Sequence, residues 1–101
     1  MKYSQLTDTY KDDTIAEAMY GREVEYFHYE FDAKNFEFLL LTEPAGPNRD
    51  NLIERLEGSR MQMANVEGIY EALKAQITDE AAHQAAIVRT TKKREEDNAN
   101  T

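Results

Sequence analysis

The fold is decided by the stretch from Thr14 to Thr42, TIAEAMYGREVEYFHYEFDAKNFEFLLLT. It contains no proline and one glycine, so nothing in it forces a helix to stop. Its apolar residues form two seams whose members stand three or four residues apart, the spacing of one helix face. The first seam consists of Tyr20, Val24, Phe27, Phe31, Phe38 and Leu41, with Lys34 in the gap. The second consists of Ile15, Met19, Tyr26, Tyr29, Ala33, Phe36 and Leu40, with Arg22 as its only charged member.

The two seams lie on nearly opposite sides of the helix, because successive residues turn by about 100°. A helix that is apolar on two sides must be covered on two sides. We expect the rest of the chain to cover the first seam and a second copy to cover the second seam, in a symmetric homodimer. The predicted interface residues are Met19, Tyr26, Tyr29, Ala33, Phe36 and Leu40.

The segment 1–13 is polar and is predicted to be an arm that packs loosely or orders on a partner. Helix 1 is predicted over 14–42. The pair Thr14 and Glu17 has the spacing of a capping box, in which the hydroxyl and the carboxylate satisfy free backbone N–H groups at the start of a helix.

The segment 43–49, EPAGPNR, is predicted to be a loop, because two prolines flank a glycine. Helix 2 is predicted over 50–77, with Asn48 or Asp50 as its cap. It carries one regular apolar seam, so a short connector between two long helices predicts an antiparallel hairpin. The members of this seam are Leu52, Leu56, Ser59, Met63, Val66, Tyr70, Leu73 and Ile77.

The segment 78–94 is predicted to be a third helix or an extension of helix 2. Thr78 and Asp79 resemble a new N-cap, although no glycine or proline stops helix 2 before them. The tail 95–101 is polar and is expected to fray. The whole chain, 1–101, is therefore expected to be one all-α domain: a long helical hairpin plus a shorter C-terminal helix, which forms a helical bundle on dimerisation.

The composition narrows the possible partners. A net charge of −8 disfavours non-specific contact with nucleic acid or with an anionic membrane. There is no run of apolar residues long enough to span a bilayer and no apolar segment typical of a secretory signal. The chain has no cysteine, so it has neither a disulfide framework nor thiolate chemistry. A cytoplasmic protein is the expectation.

The sharpest chemical pattern is a pair of Glu-x-x-His motifs, Glu25 with His28 and Glu80 with His83. Residues three apart on a helix share a face, so a carboxylate and an imidazole can bind one metal ion. The pattern resembles the ferritin-like carboxylate bundles, which use two such motifs plus one glutamate from each of two further helices. The resemblance implies iron, manganese or zinc as a cofactor. Against it, His28 lies on the flank of the first seam, and His83 is expected to face solvent, away from an alanine-rich stripe.

The leading interpretation is a small, non-enzymatic interaction or assembly module that acts as a homo-oligomer and needs no cofactor. The chain offers two histidines and no cysteine, which leaves little material for acid–base or nucleophilic catalysis. A metal-binding carboxylate bundle is the alternative. An acidic mimic of nucleic acid is a weaker one, because the carboxylates are spread over several helix faces.

Overall fold

The computed structural model describes the backbone of residues 3–99 and the side chains of residues 9–99. Within that range the chain is all-α, with three helices and no strand. The helices are α1 (Tyr3–Leu40), α2 (Pro47–Lys74) and α3 (Glu80–Ala99). The predicted fold class is confirmed in this respect.

Helix α1 begins at Tyr3, so the prediction of an arm over 1–13 is wrong for the part from Tyr3 onward. No glycine or proline interrupts this segment, and helical hydrogen bonding therefore continues through it. The capping box at Thr14 is also wrong. The Thr14 hydroxyl donates a hydrogen bond of 2.8 Å to the carbonyl oxygen of Tyr10, one turn earlier in the same helix. A threonine bonded in this way lies inside a helix and does not begin one.

The connector spans 41–46, and α2 begins at Pro47 instead of near residue 50. Gly46 adopts a φ of 148°, a conformation that favours glycine, and its carbonyl accepts the amide of Asp50 at 3.1 Å. Proline is well suited to the first helical position, since the N–H it lacks would be unpaired there. Arg49 then donates from one guanidinium nitrogen to the carbonyls of Leu40 and Glu43, at 2.9 and 2.8 Å. It thus caps the end of α1 from the first turn of α2.

Helix α2 ends at Lys74, three residues before the predicted end, and a separate third helix follows. The amides of Gln76 and Ile77 bond to carbonyls three residues back, which tightens the last turn. The carboxylate of Asp79 accepts the backbone N–H of Ala82 at 3.1 Å and so caps α3. Helix α3 continues to Ala99, so the expected fraying from residue 95 is wrong over the described residues.

The chain forms two compact units. One consists of Met1–Gly21 with Glu71–Thr101, and the other is Arg22–Tyr70. In the Arg22–Tyr70 unit, Arg60 pairs with Glu37 at 2.8 Å, and the Tyr70 hydroxyl donates to Glu23 at 3.2 Å. Of these two contacts, the one that lies later in α2, at Tyr70, involves the residue that lies earlier in α1, Glu23. Inside this unit the two helices form the predicted antiparallel hairpin.

In the other unit, α3 lies beside the first part of α1. Arg89 donates from two nitrogens to one carboxylate oxygen of Asp13, at 3.1 and 2.7 Å. The guanidinium of Arg94 covers the ring of Tyr20 at 3.6 Å. The earlier residue of α1, Asp13, meets the earlier residue of α3, Arg89, and the later residue Tyr20 meets the later residue Arg94. Helix α3 therefore runs in the same general direction as this part of α1.

The predicted seam of α2 is confirmed as the face that packs inward. Leu56, Ser59 and Val66 are buried, and the other members are partly buried. Residues on other faces of α2, such as Met61 and Ile69, are exposed. One continuous apolar stripe therefore fixed the rotation of this helix about its axis.

Candidate functional site

Within the folded chain, the second seam of α1 is less exposed than the first seam. The second seam, called the inner seam from here on, packs within the chain. Its members Met19 and Ala33 are buried. The predicted interface residues Tyr26, Tyr29, Phe36 and Leu40 are all partly buried. Within the chain these six residues are thus buried or partly buried, and their contact with a partner stays a prediction.

The first seam is the one left exposed. Its part in the Arg22–Tyr70 unit, called the outer seam from here on, consists of Val24, Phe27, Phe31, Phe38 and Leu41. Phe27, Phe31 and Phe38 expose 65%, 57% and 71% of their surface. Single exposed apolar side chains are ordinary on protein surfaces. Three phenylalanines along one face of one helix are not, and such patches mark contact surfaces.

Two of the carboxylates beside the outer seam, Glu30 and Glu37, are paired. Lys34, which stands in the gap of the seam, contacts the Glu30 carboxylate at 3.3 Å. Glu37 is held by Arg60 of α2. These exposed pairs contribute little to stability. The pairs do, however, neutralise the negative charge of Glu30 and Glu37 next to the exposed phenylalanines.

The two Glu-x-x-His motifs lie in different compact units, Glu25 and His28 in one, Glu80 and His83 in the other. Among the described side chains, no group of three or more histidine, aspartate or glutamate residues is placed to hold a metal ion. The carboxylates also have other partners. Glu25 binds Arg22 at 2.6 Å, and Glu80 accepts the side-chain amide of Gln84 at 2.9 Å. The local geometry gives the ferritin-like alternative no support.

The two histidines differ in environment, and the expectation for His83 is wrong. His28 is exposed, and its ring lies edge-on to Phe27. His83 is only 6% exposed, and it shares the buried face of α3 with Ala86 and Thr90. Of the alanine-rich stretch, Ala86 is buried and Ala82 is partly buried, whereas Ala81, Ala85 and the nearby Val88 are exposed. Helix α3 is therefore rotated relative to the prediction.

A surface cleft of about 340 Å³ lies in the Arg22–Tyr70 unit, between α1 and α2. Three aromatic rings and one valine form its apolar part, and four charged residues complete the lining. The lining residues are Arg22, Glu23, Tyr26, Phe27, Glu30, Val66, Glu67 and Tyr70. Its volume falls in the range of roughly 300–1,000 Å³ typical of ligand pockets.

The charges of this cleft are unbalanced. Its only lining cation, Arg22, is paired with Glu25, and Glu30 is paired with Lys34. Glu23 accepts a hydrogen bond from the Tyr70 hydroxyl, which fixes its position but leaves its charge in place. Among the described residues neither Glu23 nor Glu67 forms an ion pair. The cleft thus presents two uncompensated carboxylates next to aromatic rings.

The sequence alone does not predict this cleft. Tyr26 and Phe27 belong to different seams, and their common cleft depends on which face of α1 meets α2. Only the approach of Val66, Glu67 and Tyr70 from α2 brings the lining together. The nearest sequence signal was the concentration of tyrosine and phenylalanine in one helix.

Comparison of the chain with protein-family models, with curated proteins and with solved structures found no match. Within the described residues, no helix combines the length and the apolar character needed to cross a membrane.

Proposed function

We propose that this chain is a small, non-enzymatic assembly module that acts as a homo-oligomer in the cytoplasm. The observation that supports the proposal is the outer seam of α1. In the folded chain it exposes Phe27, Phe31 and Phe38 together with the branched side chains of Val24 and Leu41. The seam replaces the inner-seam residues as the proposed contact surface.

The proposed occupant of the outer seam is a second copy of the same chain. With Lys34 counted in the gap, its positions repeat at intervals that alternate between three and four, the pattern of helices that interlock along their length. Two copies of one such seam are alike in length and side-chain size, as a symmetric contact requires. The exposed part of these side chains carries on the order of 500 Å² of apolar surface. That is near the upper end of the largest patch found on an ordinary monomer, about 300–600 Å².

Charge does not oppose the contact at short range. Two copies that each carry −8 repel one another at a distance. Beside the seam, however, Glu30 and Glu37 are neutralised by Lys34 and Arg60. At these two positions association therefore brings paired charges together, whereas Glu23 and Glu67, which line a cleft with Phe27, keep their charge.

The test is the mass of the protein in solution. Wild-type protein is expected to sediment as a dimer or larger species at micromolar concentration, and to dissociate on dilution. The double variant Phe31→Glu with Phe38→Glu is expected to be monomeric with unchanged helical circular dichroism, because both side chains are exposed. Neither residue lines the cleft, so the variant leaves that site intact.

Two matched variants complete the test. Met61→Glu with Ile69→Glu places the same charges on exposed apolar positions of α2 outside the seam, and is expected to keep the wild-type mass. Tyr29→Glu with Phe36→Glu alters the partly buried inner seam, and is expected to lower the helical signal. A wild-type protein that stays monomeric at the highest concentration reached would refute the proposal. So would a Phe31 and Phe38 variant that retains the oligomer.

A further inference from the structure

We propose that the cleft between α1 and α2 in the Arg22–Tyr70 unit binds a small organic cation, namely a primary amine attached to an apolar body. The cleft shares Phe27 with the outer seam, but its α2 wall and its two unpaired carboxylates, Glu23 and Glu67, are not members of that seam. The proposal is supported by the lining of the cleft, which combines aromatic rings with carboxylates that form no ion pair.

The aromatic wall suits both parts of such a ligand. Tyr26 and Phe27 come from α1, and Tyr70 comes from α2. An ammonium group is attracted to the face of an aromatic ring by the ring quadrupole. The apolar body of the ligand gains from covering Phe27, which is largely exposed to water, while the buried Val66 adds an apolar contact.

The charges select a cation over a neutral or anionic ligand. Glu23 and Glu67 stand on opposite walls and have no ion-pair partner among the described residues. The hydrogen bond from Tyr70 holds Glu23 at the cleft, so its carboxylate is positioned before a ligand arrives. Arg22 does not cancel this field, since Glu25 already neutralises it at 2.6 Å. An ammonium group at the cleft therefore meets carboxylates that no cation among the described residues neutralises.

The test is a titration of the full-length protein with 2-phenylethylamine, followed by amide chemical shifts in nuclear magnetic resonance spectra. The matched ligands are 2-phenylethanol, which has the same apolar body without the charge, and phenylacetate, which carries the opposite charge. We expect saturable shifts centred on the lining residues of α1 and α2. We expect the amine to bind at least about fivefold more tightly than the alcohol, the effect of one nearby charge in water. Phenylacetate is expected to bind most weakly.

The double variant Glu23→Gln with Glu67→Gln is expected to bind the amine no more tightly than the alcohol. The control variant Glu54→Gln removes one exposed carboxylate of α2 outside the cleft and should keep the wild-type preference. Amine and alcohol binding with equal affinity to wild-type protein would overturn the proposal. The absence of saturable shifts with the amine, or shifts centred outside the cleft, would overturn it as well. None of these readings depends on the mass of the protein, so they are independent of the self-association test.

Discussion

The guanidinium of Arg94 lies 3.6 Å from the centre of the Tyr20 ring and joins the second half of α3 to α1. Tyr20 is partly exposed, so the contact is a surface cation–π pair. Such pairs contribute about 0.5–1 kcal/mol. We expect a coupling free energy of about that size in a double-mutant cycle of Tyr20→Leu and Arg94→Gln, measured by urea denaturation. A coupling of zero within error would show that the two side chains do not interact in solution.

Helix α2 offers a matched pair of truncations. Leu56 is buried in the seam, whereas Met61 on the same helix is exposed. Leu56→Ala is expected to lower the free energy of unfolding by about 2–5 kcal/mol, because it removes buried methyl groups and leaves a cavity. Met61→Ala is expected to stay within about 0.5 kcal/mol of wild type. Similar values for the two variants in urea denaturation would contradict the rotation of α2 described above.

The two histidines form a second natural pair. His83→Ala is expected to reduce stability by about 1–3 kcal/mol, since a large buried side chain on the packed face of α3 is lost. His28→Ala is expected to change stability by less than about 0.5 kcal/mol, because His28 is exposed. Elemental analysis of the dialysed protein measures bound metal and so distinguishes a packing role of His83 from a metal-binding role. Stoichiometric metal in the wild type that is lost in the His83 variant would restore the metal-binding alternative.

Two of the residues predicted from the sequence to cap helices, Asp79 and Thr14, should respond differently to substitution by alanine. Asp79→Ala removes the acceptor of the Ala82 amide and is expected to cost about 1 kcal/mol. Thr14→Ala is expected to be neutral or slightly stabilising, because alanine is the better helix former and Thr14 only bonds back to Tyr10. The measurement is the midpoint of thermal unfolding of each variant, compared with that of the wild type. A clear loss of stability in Thr14→Ala would argue that the helix begins there after all.

These contrasts show which features the sequence could predict. Helix α2 has one continuous apolar stripe, so its packed face followed from spacing alone. The capping pattern at Asp79 left a third helix and an extension of α2 both open, and the structure shows a separate helix in which the Asp79 carboxylate accepts a backbone amide. The start of α1 was missed because Thr14 has two hydrogen-bonding options, and only the backbone around it decides between them.

The packed face of α1 could not be chosen in the same way. Both of its seams have regular spacing and similar apolar content, so local pattern does not rank them. The choice depends on the partners across the hairpin, where Glu37 meets Arg60 and Glu23 meets Tyr70. The cleft could not be predicted for the same reason, since its two walls become neighbours only after that choice is made.

The outer seam has a consequence for the behaviour of the protein under heat. If folded chains associate through Phe27, Phe31 and Phe38 and unfolded chains do not, mass action stabilises the folded form as more protein is present. The midpoint of a thermal melt should then rise with the amount of protein in the sample. Dilute and concentrated preparations of the same chain would differ in heat resistance, and cellular abundance would itself set how readily the protein unfolds.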